Sequence, residues 1–339
     1  MSVLRAVEIG EPAGAFRIVE HELPEPAPGH ARIAVRAAGI CHTDVHFVNH
    51  ALPGLVAPVV PGHEVAGMVD AVGEGVDQLR WPVGKRVSVG WFGGSCGHCA
   101  QCRAGDFISC PALKVPGLSY RGGWASHLVV PVDALAAVPE GLSDVDAAPL
   151  GCAGVTTFQA LRRSSARAGD LVAVIGVGGL GHLAVQYAVA CGFETVAIAR
   201  GQDKGFLSRD LGAHHYVDSS VVDPAKALQE LGGAQVVVGT AHSSQAMAAG
   251  LEGLAMGGEL LLVGFTPEPM NIPPTSMVPQ SRRITGHPSG TAWDIEQTLR
   301  FSALSGVRPM TQVMPLDQVD EAWRTMISGA ARFRMVLQP

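Results

Sequence analysis

Residues 171–192, LVAVIGVGGLGHLAVQYAVACG, contain the most informative local pattern in the chain. An apolar run opens it, and Gly176, Gly178 and Gly181 follow as G-x-G-x-x-G. A strand, a glycine-rich turn and a helix in this order are typical of a dinucleotide-binding unit. The first glycine permits a tight turn, the second lets the backbone approach a pyrophosphate, and the third allows close helix–strand packing. The alternative is a strand–helix turn that binds no ligand.

The helix after this turn is expected to begin near Gly181. Its free N–H groups and the positive end of its dipole would then face the phosphates of a bound dinucleotide. We therefore predict a coenzyme site at the turn. The residues predicted to contact the coenzyme there are Gly176, Gly178, Gly179, Leu180 and Gly181.

Downstream of the turn, apolar strand cores alternate with helical stretches. The strand cores are TVAIA at 195–199, QVVVGTA at 235–241 and ELLLVGF at 259–265. This alternation predicts an α/β fold with a doubly wound parallel sheet.

The first 150 residues or so have a different pattern, in which glycine and proline break short β segments. This pattern predicts an irregular antiparallel barrel with long loops. A final block of helices and a strand is expected to return to this first domain. The predicted domains are therefore 1–152 together with 288–339, and 153–287.

Composition narrows the classes of function. The 339-residue chain is 47% hydrophobic and 16% charged, with a formal net charge of −6. The acidic balance, without any run of lysines or arginines, argues against nucleic acid and anionic membrane partners. The N-terminal sequence lacks the apolar core of a signal peptide, and no apolar run reaches the roughly 18 residues of a membrane span. We expect a cytoplasmic protein, in which cysteines stay reduced.

Four of the seven cysteines lie close together, as C-x2-C-x2-C-x7-C. Disulfides between cysteines three residues apart are strained, and the cytoplasm disfavours them. Four thiolates can enclose Zn²⁺ tetrahedrally and leave no open position, which is typical of a structural site. An iron–sulfur cluster stays open from ligand type alone. The predicted structural zinc ligands are Cys96, Cys99, Cys102 and Cys110.

Three further candidate ligands are scattered along the chain: Cys41, His63 and Cys152. Two thiolates and an imidazole with an open fourth position are typical of a catalytic zinc. Their spacing alone does not establish such a site, because each residue taken singly is more often a core or surface residue.

Taken together, the motifs resemble those of the zinc-containing alcohol dehydrogenases of the medium-chain dehydrogenase/reductase superfamily. The resemblance covers essentially the whole chain. It implies a GroES-like β-rich catalytic domain, a Rossmann coenzyme domain and a cleft between them. The stretches IARGQDK at 198–204 and GHPSGTAWDIEQTLRFSALSGVRPM at 286–310 resemble a bacterial branch related to cinnamyl alcohol dehydrogenases. The motifs that carry the resemblance are AGICHTDVH, PGHEVAG, the four-cysteine loop, GCAGVTT, VIGVGGLGHLAVQ and ARFRMVL.

The resemblance implies roles for single residues around the catalytic zinc. Cys41, His63 and Cys152 match its ligands, and Glu64 matches an alternate, intermittent ligand. Asp44 matches a carboxylate that orients the liganding imidazole, a common arrangement around zinc.

Further residues match the proton relay and the coenzyme contacts of the family. Thr43 matches the hydroxyl that passes on the substrate proton, and His46 matches the outer end of that relay. Thr156 matches a residue beside the nicotinamide, and Arg334 matches an arginine that contacts coenzyme phosphate. The alternatives are a surface histidine at His46 and a surface salt bridge at Arg334.

The end of the second strand bears on the choice of coenzyme. An NAD site usually places Asp or Glu there to bind the ribose 2′-hydroxyl. This chain has Arg200 and Gly201, with Lys204 close behind. An arginine cannot accept from a hydroxyl but can pair with a 2′-phosphate. We predict that NADP(H) is favoured over NAD(H); the alternatives are a solvated Arg200 or one that stacks on the adenine.

The resemblance also suggests which residues line the substrate pocket. Trp91 lies where the family has an aromatic pocket wall, and Leu52 lies where some relatives that use small alcohols carry tryptophan. The pocket is therefore expected to accept longer or aromatic substrates. Phe47, Phe265 and Met270 are candidates for additional apolar wall, with simple core packing as the expected role.

We therefore predict a zinc-dependent alcohol dehydrogenase with two zinc ions per chain that acts on primary alcohols or aldehydes and forms a homodimer or homotetramer. One alternative is a specialised NADPH-dependent aldehyde reductase. The other is a non-enzymatic, zinc-stabilised structural or nucleic-acid-binding protein, because cysteine clusters also build zinc ribbons.

Overall fold

A computed structural model describes residues 3–339 of the chain, which divide into two compact units. One unit comprises the residues up to Val155 together with Ser289–Pro339, and the other is Thr156–Pro288. Met1 and Ser2, with which the first predicted domain begins, lie outside the described residues.

Short strands dominate the first unit, and strands alternate with helices in the second. The strands are β1 (Val3–Glu8), β2 (Arg17–Glu22), β3 (His30–Ile40), β4 (Val65–Val72), β5 (Arg86–Val89), β6 (His127–Pro131), β7 (Ala136–Ala137), β8 (Leu171–Ile175), β9 (Glu194–Ala199), β10 (His215–Asp218), β11 (Ala234–Gly239), β12 (Leu254–Leu262), β13 (Arg283–Gly286), β14 (Thr311–Pro315) and β15 (Arg334–Gln338). The α-helices are α1 (Asp44–Val48), α2 (Ala100–Arg103), α3 (Asp144–Pro149), α4 (Val155–Arg163), α5 (Gly181–Ala190), α6 (Gln202–Asp210), α7 (Pro224–Glu230), α8 (Ser244–Glu252), α9 (Ala292–Ser305) and α10 (Val319–Ile327).

The first unit is built on a sheet with the strand order β14–β15–β3–β4–β5–β7, to which β6 adds by pairing with β3. Strands β3 to β7 pair antiparallel, as predicted for the N-terminal segment. The C-terminal strands add one parallel pair, β14 with β15, so the complete sheet is mixed. The fully buried Trp124 joins the core of this unit to the end of β3, because its indole N–H donates to the Gly39 carbonyl at 3.1 Å.

The second unit is the predicted doubly wound sheet. Its strands run parallel in the order β10–β9–β8–β11–β12–β13. The chain starts at β8 in the middle, builds outward through β9 and β10, and then returns to the other side of β8 with β11. In such sheets ligands bind beyond the carboxyl ends of the strands where this reversal occurs. The glycine-rich turn follows β8 at that point.

The turn itself has the predicted geometry. Strand β8 ends at Ile175 and helix α5 begins at Gly181. Gly176 has φ +95°, which L side chains rarely adopt. A Cβ at Gly181 would lie 1.7 Å from the Gly176 carbonyl oxygen, so only glycine lets helix and turn approach this closely.

Candidate active site

Three distant segments of the first unit bring one set of metal-ligating atoms together. Cys41 follows β3, His63 and Glu64 precede β4, and Cys152 lies between α3 and α4. The ligand atoms of these four side chains all lie within 4.8 Å of one another. The predicted catalytic ligands and the predicted alternate ligand therefore form one cluster.

A buried carboxylate fixes the orientation of this cluster. One oxygen of Asp44 accepts the Cys41 backbone N–H at 2.8 Å, and the other lies 3.1 Å from Nδ1 of His63. Asp44 and His63 are both fully buried. Nε2 of His63 has no hydrogen-bond partner among the described residues. A buried imidazole that is held at Nδ1, has an unpartnered Nε2 and belongs to a cluster with two thiols fits a zinc ligand.

The pKa values of the two thiols in this cluster are shifted in opposite directions. Hydrogen bonding from Cys152 is the main reason why the pKa of Cys41 lies well below its usual value; burial opposes this effect, and His63 and Arg334 add to it. The same contact with Cys41, together with burial, raises the pKa of Cys152 well above its usual value. Binding of a divalent metal would therefore release the Cys152 proton, because metal ligands must be deprotonated.

Glu64 forms a buried ion pair with Arg334, a residue 270 positions away in the sequence. Burial raises the pKa of Glu64 to about 7, against the opposing charge of Arg334. Arg334 is only 6% exposed, so the alternative of a surface salt bridge is wrong. The predicted contact of Arg334 with coenzyme phosphate stays a prediction.

Gly39 is a site residue that was not predicted from the sequence, although it lies in the motif AGICHTDVH, one residue before the end of β3. A Cβ there would lie 2.1 Å from Oε2 of Glu64, so the carboxyl group occupies space that only glycine leaves open. The available signal was a glycine near the end of a strand pattern, which often marks a close approach.

Cys152 lies in a π-helical turn, Leu150–Gly154, which joins α3 to α4. Such turns are rare and occur frequently at functional sites. This π-helical turn was not predicted from the sequence.

Aromatic side chains support the His63 ring. Phe47 stacks on it at a centroid distance of 5.9 Å, and Trp91 meets it edge-on at 5.2 Å. Leu52 is partly buried and packs with Trp91 against the small core cluster around Phe47.

The three residues for which core packing was expected differ in burial. Phe47 is fully buried, in line with this expectation. Phe265 is 72% exposed, so core packing was the wrong expectation for Phe265. Met270 packs against the core of the second unit.

The residues assigned to the proton relay and to the nicotinamide contact lie in or next to helices α1 and α4. Thr43 immediately precedes α1 and His46 lies within it, both partly buried. Thr156 is 9% exposed, in α4. Their roles stay predictions.

The four-cysteine loop forms a second cluster in the first unit. Sulfur–sulfur distances are 3.6 Å for Cys96–Cys110, 3.9 Å for Cys99–Cys110 and 4.0 Å for Cys96–Cys102. A tetrahedron with metal–sulfur bonds of about 2.3 Å has edges of about 3.8 Å. All seven cysteines are free thiols. Backbone N–H groups, His98 foremost, lower the pKa of Cys96 to about 6. The cluster therefore fits a closed zinc site and not a disulfide pair.

The loop after β9 in the second unit carries the predicted coenzyme-selecting residues. Arg200 is exposed, and a Cβ at Gly201, where φ is +89°, would meet no atom within 4 Å. The Gly201 N–H donates to Asp218 at 2.9 Å, a contact that the sequence analysis missed. The Lys204 ammonium donates to the Val177 carbonyl at 2.8 Å.

Comparison with known proteins identifies the protein family to which the chain belongs. Residues 27–140 match the alcohol dehydrogenase GroES-like domain and residues 179–303 match the zinc-binding dehydrogenase domain. The chain is 37% identical to the alcohol dehydrogenase notN of Aspergillus sp. (strain MF297-2), over 97% of this chain and 95% of that protein.

Solved structures of alcohol dehydrogenases are similar to the chain over nearly its whole length. A cinnamyl alcohol dehydrogenase from Sorghum bicolor is 29% identical with a TM-score of 0.88, covering 99% of this chain and 98% of that one. The CAD from Helicobacter pylori complexed with NADP(H) is 27% identical with a TM-score of 0.88 and the same coverage. The chain belongs to the zinc-containing alcohol dehydrogenases of the medium-chain dehydrogenase/reductase superfamily, and it is an oxidoreductase. The non-enzymatic alternative is therefore wrong. Among residues 3–339, no helix has the length and apolarity needed to cross a membrane.

Proposed function

We propose that Cys41, His63 and Cys152 hold a catalytic zinc ion and that the four-cysteine loop holds a second, structural one. The observation that carries the first assignment is the buried His63 ring: one of its nitrogens lies within 4.8 Å of both thiols, and its Nε2 has no hydrogen-bond partner among the described residues. The near-tetrahedral sulfur distances of the loop support the second.

The chain's own residues would have distinct tasks in alcohol oxidation. When bound, the metal supplies Lewis acidity toward the substrate oxygen, and the nicotinamide accepts or returns the hydride. Asp44 holds the His63 ring so that Nε2 faces the metal position. Thr43 and His46 carry the alcohol proton toward solvent. Glu64, held by Arg334, is the alternate ligand.

The zinc assignment is tested by metal content and turnover in three variants. Cys41→Ser should retain about one zinc and a cooperative fold but lose turnover, because the four-cysteine loop is untouched. Cys99→Ser should lower thermal stability or soluble yield, because a structural zinc contributes directly to folding. Cys191→Ser, outside both clusters, is the matched control. Near-normal turnover of Cys41→Ser would refute the catalytic assignment.

We also propose a preference for NADP(H). The exposed Arg200 and the open space at Gly201 support it, because a guanidinium can pair with a 2′-phosphate where a carboxylate would repel it. A charge-assisted contact of this kind is worth about 1.5–3 kcal/mol, or roughly 10- to 100-fold in binding. The preference should be substantial but not absolute.

The test compares kcat/KM for NADP and NAD in the wild type, in Arg200→Asp and in Arg209→Asp. Arg209, near the end of α6, is the control for an added negative charge. We expect NADP to lead in the wild type and the ratio to fall at least about tenfold in Arg200→Asp only. A wild type that prefers NAD, with a ratio that Arg200→Asp does not change, would contradict the proposal.

The remaining assignments are also proposals. The likeness to a cinnamyl alcohol dehydrogenase supports longer-chain or aromatic primary alcohols and aldehydes as substrates, with Leu52 and Trp91 as pocket wall. Thr156 is the residue proposed beside the nicotinamide. We propose residues 1–152 and 288–339 as the catalytic domain and 153–287 as the coenzyme domain. A homodimer or homotetramer in the cytoplasm is proposed on the same family basis.

A further inference from the structure

Side chains from separate segments hold the carbonyl groups of the glycine-rich turn. The Thr240 hydroxyl, just after β11, lies within donating distance of two successive carbonyl oxygens, that of Gly176 at 2.8 Å and that of Ile175 at 3.0 Å. The Lys204 ammonium, from α6, donates to the next carbonyl, that of Val177, at 2.8 Å. These contacts join residues far apart in the sequence, so none follows from the local turn geometry.

The following carbonyl, that of Gly178, is held as well. Nδ1 of His182 lies 2.8 Å from the Gly178 carbonyl oxygen, which also accepts the His182 backbone N–H at 3.0 Å. His182 is fully buried at the start of α5. The carbonyl oxygens of three consecutive peptide groups are therefore held by side chains.

Fixing the carbonyls also fixes the opposite edge of each peptide. In a planar trans peptide the C=O and the following N–H point in opposite directions. Within residues 3–339, the N–H groups of Val177, Gly178 and Gly179 donate no backbone hydrogen bond. A Cβ at Gly178 would meet no atom within 4 Å, so space is open beside these donors. Successive free N–H groups at a helix start suit an anion.

We propose that Thr240, Lys204 and His182 are positioning residues that preset the turn for the coenzyme pyrophosphate. All three contacts are made by the chain's own atoms, so they can order the turn without the ligand and reduce the entropic cost of binding. The proposal rests on coenzyme binding at this turn.

For Lys204 this role differs from the predicted contact with a 2′-phosphate. A side chain that orients the turn acts equally on NAD and NADP, because both contain the pyrophosphate. A side chain that contacts the 2′-phosphate acts on NADP alone. The two roles therefore differ in a measurable ratio.

The first experiment uses Thr240→Val, which keeps the shape and removes the hydroxyl, with Thr240→Ser as control. Calorimetric titration with NAD and with NADP should show both dissociation constants raised by the same factor, about 3- to 10-fold. Thr240→Ser should restore them. In the coenzyme-free protein, amide exchange of the peptide covering 176–181 should rise in Thr240→Val. Unchanged dissociation constants for both coenzymes would overturn the role of Thr240.

The second experiment uses Lys204→Met and Lys204→Arg, with melting temperatures to confirm folding. Lys204→Met should weaken NAD and NADP by the same factor, about tenfold or more, and Lys204→Arg should recover part of the loss. A loss confined to NADP would overturn the proposal for Lys204 and assign it to the 2′-phosphate. A wild type that prefers NAD would defeat the proposed coenzyme preference alone, because each comparison here is between variant and wild type for one coenzyme.

Discussion

Asp44 accepts hydrogen bonds at both carboxylate oxygens, from the Cys41 backbone and from the His63 ring. Asparagine has only one oxygen acceptor, so Asp44→Asn must lose one of these contacts or turn an N–H toward Nδ1. We expect the affinity for zinc at the catalytic site to fall about 10- to 100-fold, as measured by competition with a chromogenic chelator.

Asp70→Asn is the matched control for this substitution, because Asp70 pairs with Arg32 elsewhere in the first unit. It should leave zinc affinity unchanged. Equal affinities in Asp44→Asn and the wild type would show that the carboxylate does not orient His63.

His46, in α1, is the proposed outer end of the proton relay. His46→Gln removes a group that can accept and release the proton, so alcohol oxidation should weaken most at low pH, where proton removal is hardest. The measurement is kcat/KM for alcohol oxidation across the pH range. An equal loss at every pH would mean that His46 does not carry the proton.

At the level of secondary structure, two glycines between β8 and α5 have different roles. Gly181 permits close packing within the chain, and Gly178 leaves space for a ligand. Gly181→Ala places a Cβ 1.7 Å from a backbone oxygen, and overpacking of this kind costs at least about 1–3 kcal/mol. A Cβ at Gly178 would meet no atom of the chain within 4 Å, but the methyl group of Gly178→Ala would enter the space proposed for the pyrophosphate.

Thermal melts and coenzyme titrations check this pair. Gly181→Ala should melt lower than the wild type, whereas Gly178→Ala should melt normally and lose coenzyme affinity. Normal affinity in Gly178→Ala would place the pyrophosphate elsewhere.

For the whole molecule, tryptophan fluorescence reports on the unfolding of the first unit separately from that of the second. All five tryptophans lie in the first unit, which also contains both cysteine clusters. Removing zinc with a chelator should therefore lower the unfolding midpoint seen by tryptophan fluorescence, because structural zinc sites contribute folding energy.

Strand β8 serves as the internal control, because the core of the second unit consists of its own residues and contains no cysteine ligand. Its amide exchange should change little on chelation. A tryptophan transition that chelation leaves unmoved would contradict a structural zinc in the four-cysteine loop.

The α/β fold of the second unit and the sets of candidate zinc ligands were predictable from local patterns in the sequence. Strand periodicity, the spacing of Gly176, Gly178 and Gly181, and the C-x2-C-x2-C-x7-C loop are local patterns, and each reflects a constraint among neighbouring residues. The start of α5 at Gly181 was predictable for this reason.

Contacts between atoms far apart in the sequence were not predictable in this way and are known from the folded chain. It pairs Glu64 with Arg334, directs Lys204 onto the Val177 carbonyl, and leaves Nε2 of His63 unpartnered. It also adds the parallel pair of β14 and β15 to an otherwise antiparallel sheet. These contacts depend on the path of the whole chain, because a buried charge or ring nitrogen takes its partner from whichever segment the fold brings beside it.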